Sequence, residues 1–202
     1  AGYEVLAFDL VPSEGGYQHT SYPDYVKQVE SWVVPGTRPK VVIGASLGGI
    51  LALSVERTLK PERLILINSA LPKPFIEKQA LPPPPEIIHW ANGPIKDTED
   101  SMPDSDRQTI EFAWKRWRDE SGRVIYAIRR GISVPKPKAK TLVIISENDD
   151  TVPAAKSQQL AKWLKGDVHF YKGMSHVGPL LARGAPTVAK KALEWLGTPL
   201  ED

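Results

Sequence analysis

Three short apolar runs decide most of what this chain can become. Lys40–Ile43 (KVVI), Arg63–Ile67 (RLILI) and Thr141–Ile145 (TLVII) are too short for buried helices and show no polar alternation. A strand with one wet face alternates apolar and polar residues, whereas a strand buried on both faces reads as an unbroken aliphatic run. Tyr3–Leu10 (YEVLAFDL) and, more weakly, Val168–Tyr171 also read as strands. Helical spacing fills the intervals. Pro23 opens a stretch in which Tyr25, Val26, Val29, Trp32 and Val33 recur on one stripe, with Pro35-Gly36 as its stop. Leu47–Leu59 ends at Lys60-Pro61, and Ala154–Leu164 and Thr187–Leu196 accompany the later strands. Such alternation predicts an α/β fold, a mostly parallel sheet with helices on both faces. With 202 residues, 41% of them hydrophobic, a single domain over 1–202 has side chains enough for a core.

Residues 72–137 break the alternation. They open on Pro72-Lys73-Pro74 and include four consecutive prolines, Pro82 to Pro85. A helix begins near Pro103–Ser105 and sets Ile110, Trp114 and Trp117 on one stripe, and a shorter one, Arg123–Arg130, ends at Gly131. So long an insertion with helices of its own is not a loop, and it falls between two sheet strands. The expectation is a small helical cap. Tryptophan stripes more often pack than bind, yet Phe75, Trp90, Trp114 and Trp117 are among the cap's large apolar side chains and suggest an acyl or aromatic substrate of modest size.

Composition closes several routes. The net charge is +2, from 26 basic and 24 acidic residues. The densest basic cluster, Lys136, Lys138 and Lys140, alternates with Pro137 and Ala139 ahead of a strand, so no nucleic-acid partner is expected. Cysteine is absent, which excludes disulfides, thiolate catalysis and thiolate metal sites. The histidines (His19, His89, His169, His176) are widely spaced and form no HExxH-type pair, so no metal or cofactor is implied. No apolar run approaches the roughly 20 residues needed to cross a bilayer, and no signal peptide is visible. A cytoplasmic protein, monomer or homodimer, acting on a small molecule is the expectation.

The stretch VVIGASLGGILAL, Val41 to Leu53, then raises a chemical question. It places Ser46 between Gly44 and Gly48 where a strand turns into a helix. In a parallel sheet that corner throws the serine out at the carboxyl edge, provided its neighbours are small, which is the G-x-S-x-G nucleophile elbow. The N–H of Leu47, at the helix start, would face an oxyanion there. A serine hydroxyl needs a base, and the base needs an orienting acid. SENDDTVP, after the fourth strand, supplies Asp149 and Asp150, and YKGMSHVGP, after the fifth, supplies His176 between Gly173 and Gly178. The order is Ser, Asp, His. His169 lies within a strand, His89 in the cap and His19 in the first loop, where a substrate contact stays open.

These motifs resemble those of the α/β-hydrolase superfamily, and the resemblance covers nearly the whole chain. Gly44-Ala45-Ser46-Leu47-Gly48-Gly49 matches the elbow, and Asp9-Leu10 with Gly15 and Gly16 loosely matches the DLxGxGxS strand end. Ser146 to Pro153 matches GxxDxxVP, which aligns the family's acid with Asp149 rather than Asp150. Gly173-Met174-Ser175-His176 matches the GxxH loop, and LINSALPKP looks like the strand-to-cap junction of the small esterase and hydroxynitrile-lyase branch. The resemblance implies a serine hydrolase acting on a carboxylic ester. The same triad also serves hydroxynitrile lyases, carbon–carbon hydrolases and acyltransferases, and a non-catalytic binding protein could keep the pocket.

The N-terminus departs from the family pattern. Most members carry strands ahead of the one matching GYEVLAFDL, and one of those ends in a His-Gly loop that donates the second oxyanion N–H. No such loop is present in this sequence. A longer parent chain is one explanation and a trimmed fold the other. In a trimmed fold, Tyr3–Leu10 would pair beside the elbow strand, and an amide of Gly15 or Gly16 would complete the oxyanion hole.

Overall fold

The computed structural model describes residues 2–34, 36–77 and 81–197. In chain order the elements begin with α1 (Tyr22–Ser31), β1 (Val41–Ala45), α2 (Leu47–Leu59) and β2 (Arg63–Ile67). The insertion then supplies β3 (Ile87–Ile88), α3 (Ile95–Ser101), α4 (Arg107–Trp114), β4 (Glu120–Ser121) and α5 (Gly122–Arg130). The chain returns to the sheet with β5 (Lys140–Asn148), α6 (Ala154–Leu164), β6 (Asp167–Ser175), α7 (Gly178–Leu181) and α8 (Ala185–Leu196).

The main sheet has the order β1-β2-β5-β6 and is parallel throughout. Its two inner strands explain the unbroken aliphatic runs. Leu64, Leu66, Val143 and Ile145 face one way, into a core with Leu53 of α2, Tyr25 of α1 and Leu160 of α6. Ile65, Ile67, Leu142 and Ile144 face the other way, onto Val188 and Trp195 of α8. Helices therefore cover both faces, as the period of the strands requires.

The outer strand β1 corrects part of the sequence expectation. It pairs with β2 alone, and its Ile43 is 60% exposed. Tyr3–Leu10 does not pair beside it, and no strand forms over residues 3–10. A β-rich segment becomes a strand only where a ladder partner meets it, and this one is held by side chains instead. Phe8 tilts against Trp32 with ring centroids 5.6 Å apart, and Asp9 pairs with Arg118 at 2.7 Å. Gln28 brackets Val11, accepting from its N–H at 3.0 Å and donating to its carbonyl at 2.7 Å.

Helix α1 starts where its N-terminal chemistry puts it. The Asp24 carboxylate accepts from the N–H and the hydroxyl of Ser21, so a carboxylate faces the positive end of the helix. The helix ends at Ser31, and the expected stop at Pro35 lies outside the described residues. Within the insertion, α3 and the antiparallel β3–β4 pair were not anticipated, and Trp117 lies beyond the end of α4. Both unforeseen features are very short, below the length at which periodicity is legible. The pair is anchored inward: Tyr25 donates to the Glu120 carboxylate at 2.7 Å, and Ser121 donates to the Thr20 carbonyl at 2.7 Å. Burial raises the Glu120 carboxyl above its usual range, against the lowering effect of the Tyr25 and Ser121 donors.

The start of β5 depends on a carboxylate from another element. Glu56 of α2 is 3% exposed, and its Oε1 accepts from the N–H groups of Lys138 (2.7 Å) and Ala139 (2.9 Å). A hydrogen bond to a charged acceptor contributes about 1.5–3 kcal/mol. Glu56→Ala is therefore expected to lower unfolding free energy by about 2 kcal/mol or more in urea melts. A loss near zero would mean that water takes over both donors.

Candidate active site

Each strand of the parallel sheet ends in one residue of the candidate site. Ser46 follows β1, Asn68 follows β2, Asp149 follows β5 and His176 follows β6. The carboxyl edge of an open α/β sheet is where such folds bind ligands, because the strand ends converge there while the loops remain free to vary.

Ser46 sits at the corner with φ 51° and ψ −120°. Left-handed backbone is costly for a residue with a Cβ, and the surroundings hold it in place. The Ser46 N–H donates to the Ile67 carbonyl at 3.0 Å, and its own carbonyl accepts from Gly49 and Ala70, each at 2.9 Å. The glycines divide differently from the sequence expectation. A Cβ on Gly44 would lie 2.1 Å from the Gly48 carbonyl oxygen, and one on Gly49 would lie 2.3 Å from Ser69 Oγ and 2.9 Å from Ser69 Cα. A Cβ on Gly48 would meet nothing within 4 Å. Gly44 and Gly49 are thus required by close backbone approach, and Gly48 is not. Gly44→Ala and Gly49→Ala should each cost about 3 kcal/mol by overpacking, whereas Gly48→Ala should gain up to about 1 kcal/mol of helix stability. Chemical melts of the three variants check the ranking.

The side chains of Ser46, His176 and Asp149 form a continuous hydrogen-bonded row. His176 Nε2 lies 2.9 Å from Ser46 Oγ, and Nδ1 lies 2.8 Å from both Asp149 oxygens. Asp149 has only acceptors, so Nδ1 carries the proton and Nε2 is left to accept from the serine hydroxyl. The carboxylate is nearly enclosed, with its side chain 1% exposed against 13% for the histidine. Its Oδ1 also accepts from the N–H groups of Thr151 (2.9 Å) and Val152 (2.7 Å). Asp150, one residue on, is exposed and meets only the Thr151 hydroxyl, at 3.2 Å.

Asn68 was not singled out from the sequence. It is 1% exposed with φ 44°, a left-handed conformation that asparagine tolerates better than most residues. Its Oδ1 accepts from Ser146 N–H at 2.9 Å, and its Nδ2 donates to Ser146 Oγ and to the His176 carbonyl, at 2.9 and 2.6 Å. The only signal was an asparagine directly after a buried strand.

The remaining sequence candidates fall in separate surroundings. Leu47 is the first residue of α2, where helix geometry leaves the backbone N–H without an intrahelical acceptor. Gly16 has φ 80°, and its N–H is committed to the Ser13 carbonyl at 2.8 Å. Gly15 lies against the His19 ring, where a Cβ would come within 2.8 Å. Phe75 stacks edge-on against Trp163 at 5.9 Å, and Trp90 is 47% exposed. Trp114 donates to the Gly93 carbonyl at 2.7 Å, and Trp117 donates to Thr98 Oγ1 at 2.9 Å, so both indoles tie parts of the insertion together. Among the described residues, no group of three or more His, Asp or Glu is placed to hold a metal ion. No described helix is long and apolar enough to cross a membrane.

Solved structures with the same arrangement of elements share little sequence with this chain. Tomato methylketone synthase I complexed with 2-tridecanone superposes with a TM-score of 0.70 at 15% identity, over 98% of this chain and 89% of that one. The monoacylglycerol lipase of Paleococcus ferrophilus gives 0.65 at 18% identity, over 88% and 76%. A polyneuridine aldehyde esterase variant gives 0.62 at 14% identity, over 87% and 79%. No curated protein matches the sequence. The likeness to these structures concerns the fold, but a sequence match to a family description extends over residues 1–190. That match, on a parallel sheet whose elbow serine turns out at its carboxyl edge, makes this chain a member of the alpha/beta hydrolase family.

Proposed function

We propose that this protein is a serine hydrolase that cleaves a carboxylic ester through an acyl-enzyme on Ser46. One observation carries the reading: the unbroken row from Asp149 through His176 to Ser46, with contacts of 2.8 and 2.9 Å. A lipase and an esterase among the structural neighbours support it. Ser46 Oγ attacks the acyl carbonyl while His176 Nε2 takes its proton. The imidazolium, held and stabilised by Asp149, then protonates the leaving alkoxide. Water, deprotonated by His176, attacks the acyl-serine, and the acid departs as Ser46 regains its proton. Neither a metal nor a cofactor takes part. Residues 72–137 act as a cap on a single domain, and Phe75 is its aromatic residue nearest in sequence to the strand end after β2.

The Leu47 N–H is one oxyanion donor. Gly16 is not assigned as the second, since its N–H already serves the Ser13 carbonyl, which leaves Gly15 in that loop. Loss of one oxyanion donor costs about 10²–10³ in turnover, so Gly15→Pro is expected to slow p-nitrophenyl butyrate hydrolysis by about that factor. Unchanged turnover would move the second donor elsewhere.

The reading is tested by exposing the protein to p-nitrophenyl acetate and butyrate, quenching in acid and measuring intact mass. An acyl adduct mapped to the Ser46 peptide, and missing in Ser46→Ala, is the expected result. The absence of both an adduct and p-nitrophenol release above buffer would overturn the hydrolase reading.

A further inference from the structure

We propose that Asp104, in the turn between α3 and α4, is a positioning residue for His176, so that the inserted segment and not the sheet alone keeps the base in line. This rests on the serine-hydrolase reading above. The last ladder pair of β6 is Ser175 with Asn148, and His176 lies one residue beyond it, before α7 begins at Gly178. A side chain on a turn swings with its backbone, while proton transfer from Ser46 demands contacts near 3 Å on both ring nitrogens. Three consecutive residues, the last of β6 and the first two of the turn, are gripped.

On the sheet side, Asn68 Nδ2 donates to the His176 carbonyl at 2.6 Å. From the α3–α4 turn, both oxygens of Asp104 are engaged by the preceding residue. Oδ2 accepts from the Ser175 N–H at 2.9 Å and Oδ1 from the Ser175 hydroxyl at 2.6 Å. Two contacts to one carboxylate fix orientation as well as position. The residue after the histidine is held by the same segment: Val177, with Leu181, packs against buried Met102, Ile110 and Ala113. Room for the carboxylate comes from Gly178, where a Cβ would stand 2.4 Å from Asp104 Oδ2. The contacts from Asp104 and from Met102, Ile110 and Ala113 come from outside the sheet's own ladders. Together they make the alignment of His176 depend on a docked α3–α4 turn, so undocking that turn unseats the base.

Asp104→Ala, Asp104→Asn and Gly178→Ala, each made in the full chain, test this. Asparagine can still accept from the Ser175 N–H and can donate to its hydroxyl, which accepts as well as donates. Alanine can do neither, and alanine at 178 displaces the carboxylate without removing it. Asp104→Ala and Gly178→Ala are expected to lower kcat on p-nitrophenyl acetate by about 10²-fold with KM little changed, and Asp104→Asn to recover most of the loss. A second readout needs no turnover. The low-field proton NMR signal of the His176 Nδ1–H, identified by its absence in Asp149→Asn, should broaden or vanish in Asp104→Ala well below its Tm and persist in Asp104→Asn. If Asp104→Ala fails to fold, Gly178→Ala decides by the same two readouts. An unchanged kcat and an unchanged imidazole signal overturn the proposal. Should the wild-type protein form no acyl-serine, the hydrolase reading falls, and the NMR comparison still decides whether Asp104 positions His176.

Discussion

Ser46→Ala is expected to lower ester turnover by about 10⁶-fold, the loss seen when a triad serine is removed from a serine protease, and to leave thermal stability almost unchanged. The hydroxyl is half-buried at a turn and fills no core space, so its removal opens no cavity. Alanine keeps a Cβ at φ 51° and so inherits the backbone strain of the serine. Ser46→Gly separates the two properties. Glycine adopts that conformation freely, so this variant should be as inactive as alanine while gaining about 1 kcal/mol of stability. Steady-state hydrolysis of p-nitrophenyl esters, read beside thermal melts, checks both halves. Retained turnover in either variant would place the nucleophile elsewhere, and a less stable glycine variant would mean that the corner is not strained.

Asp149→Asn carries the second largest expected effect, about 10⁴-fold in kcat by analogy with the serine-protease acid. The reason lies in the partners of each oxygen. Oδ1 accepts from the N–H groups of Thr151 and Val152, so an asparagine must keep its oxygen there and turn its amide nitrogen to the Oδ2 position. That NH₂ would then face His176 Nδ1, at the 2.8 Å now occupied by an acceptor. It competes with the retained oxygen, also 2.8 Å from Nδ1, and favours the tautomer with its proton on Nε2, which can no longer accept from Ser46. Asp150→Asn, at an exposed side chain, should stay within about threefold of the parent, by the small effect usual for surface substitutions. Equal losses in the two variants, or the reverse ranking, would refute the assignment of the acid. The pH profile of the residual activity gives a further check, since a wrong-tautomer histidine recovers only at high pH, where hydroxide replaces it as base.

Much of the scaffold was legible because it depends on local patterns. The bounds read from sequence for Leu47–Leu59, Arg63–Ile67 and Ala154–Leu164 coincide with α2, β2 and α6. In each, apolar spacing and terminal signals agree with the tertiary environment. The corner at Ser46 was legible for a similar reason, since a glycine flanked by an apolar run and a helical pattern has few explanations. Even there the close approaches fall on Gly44 and Gly49 rather than on the Gly48 of the motif, because which neighbour lies within reach depends on how β2 and α2 pack.

Residues distant in sequence were a different matter. Tyr3–Leu10 has strand composition, but a strand is defined by its partner, and β1 meets only β2. The tryptophans at 114 and 117 read as packing more readily than as pocket, and their indole N–H groups bond within the insertion. Asn68 and Asp104 left almost no trace in the sequence, since each acts through a contact more than 70 residues away along the chain: Asn68 to Ser146, and Asp104 to Ser175. Periodicity, turn residues and motif order are properties of neighbouring residues, so the chain's own order was enough to set the strands, the helices and the succession of serine, aspartate and histidine. The hydrogen bonds that fix the histidine join separate strand ends and an inserted turn. Their lengths and directions arise only when the sheet brings those ends to one edge, and that belonged to the tertiary structure.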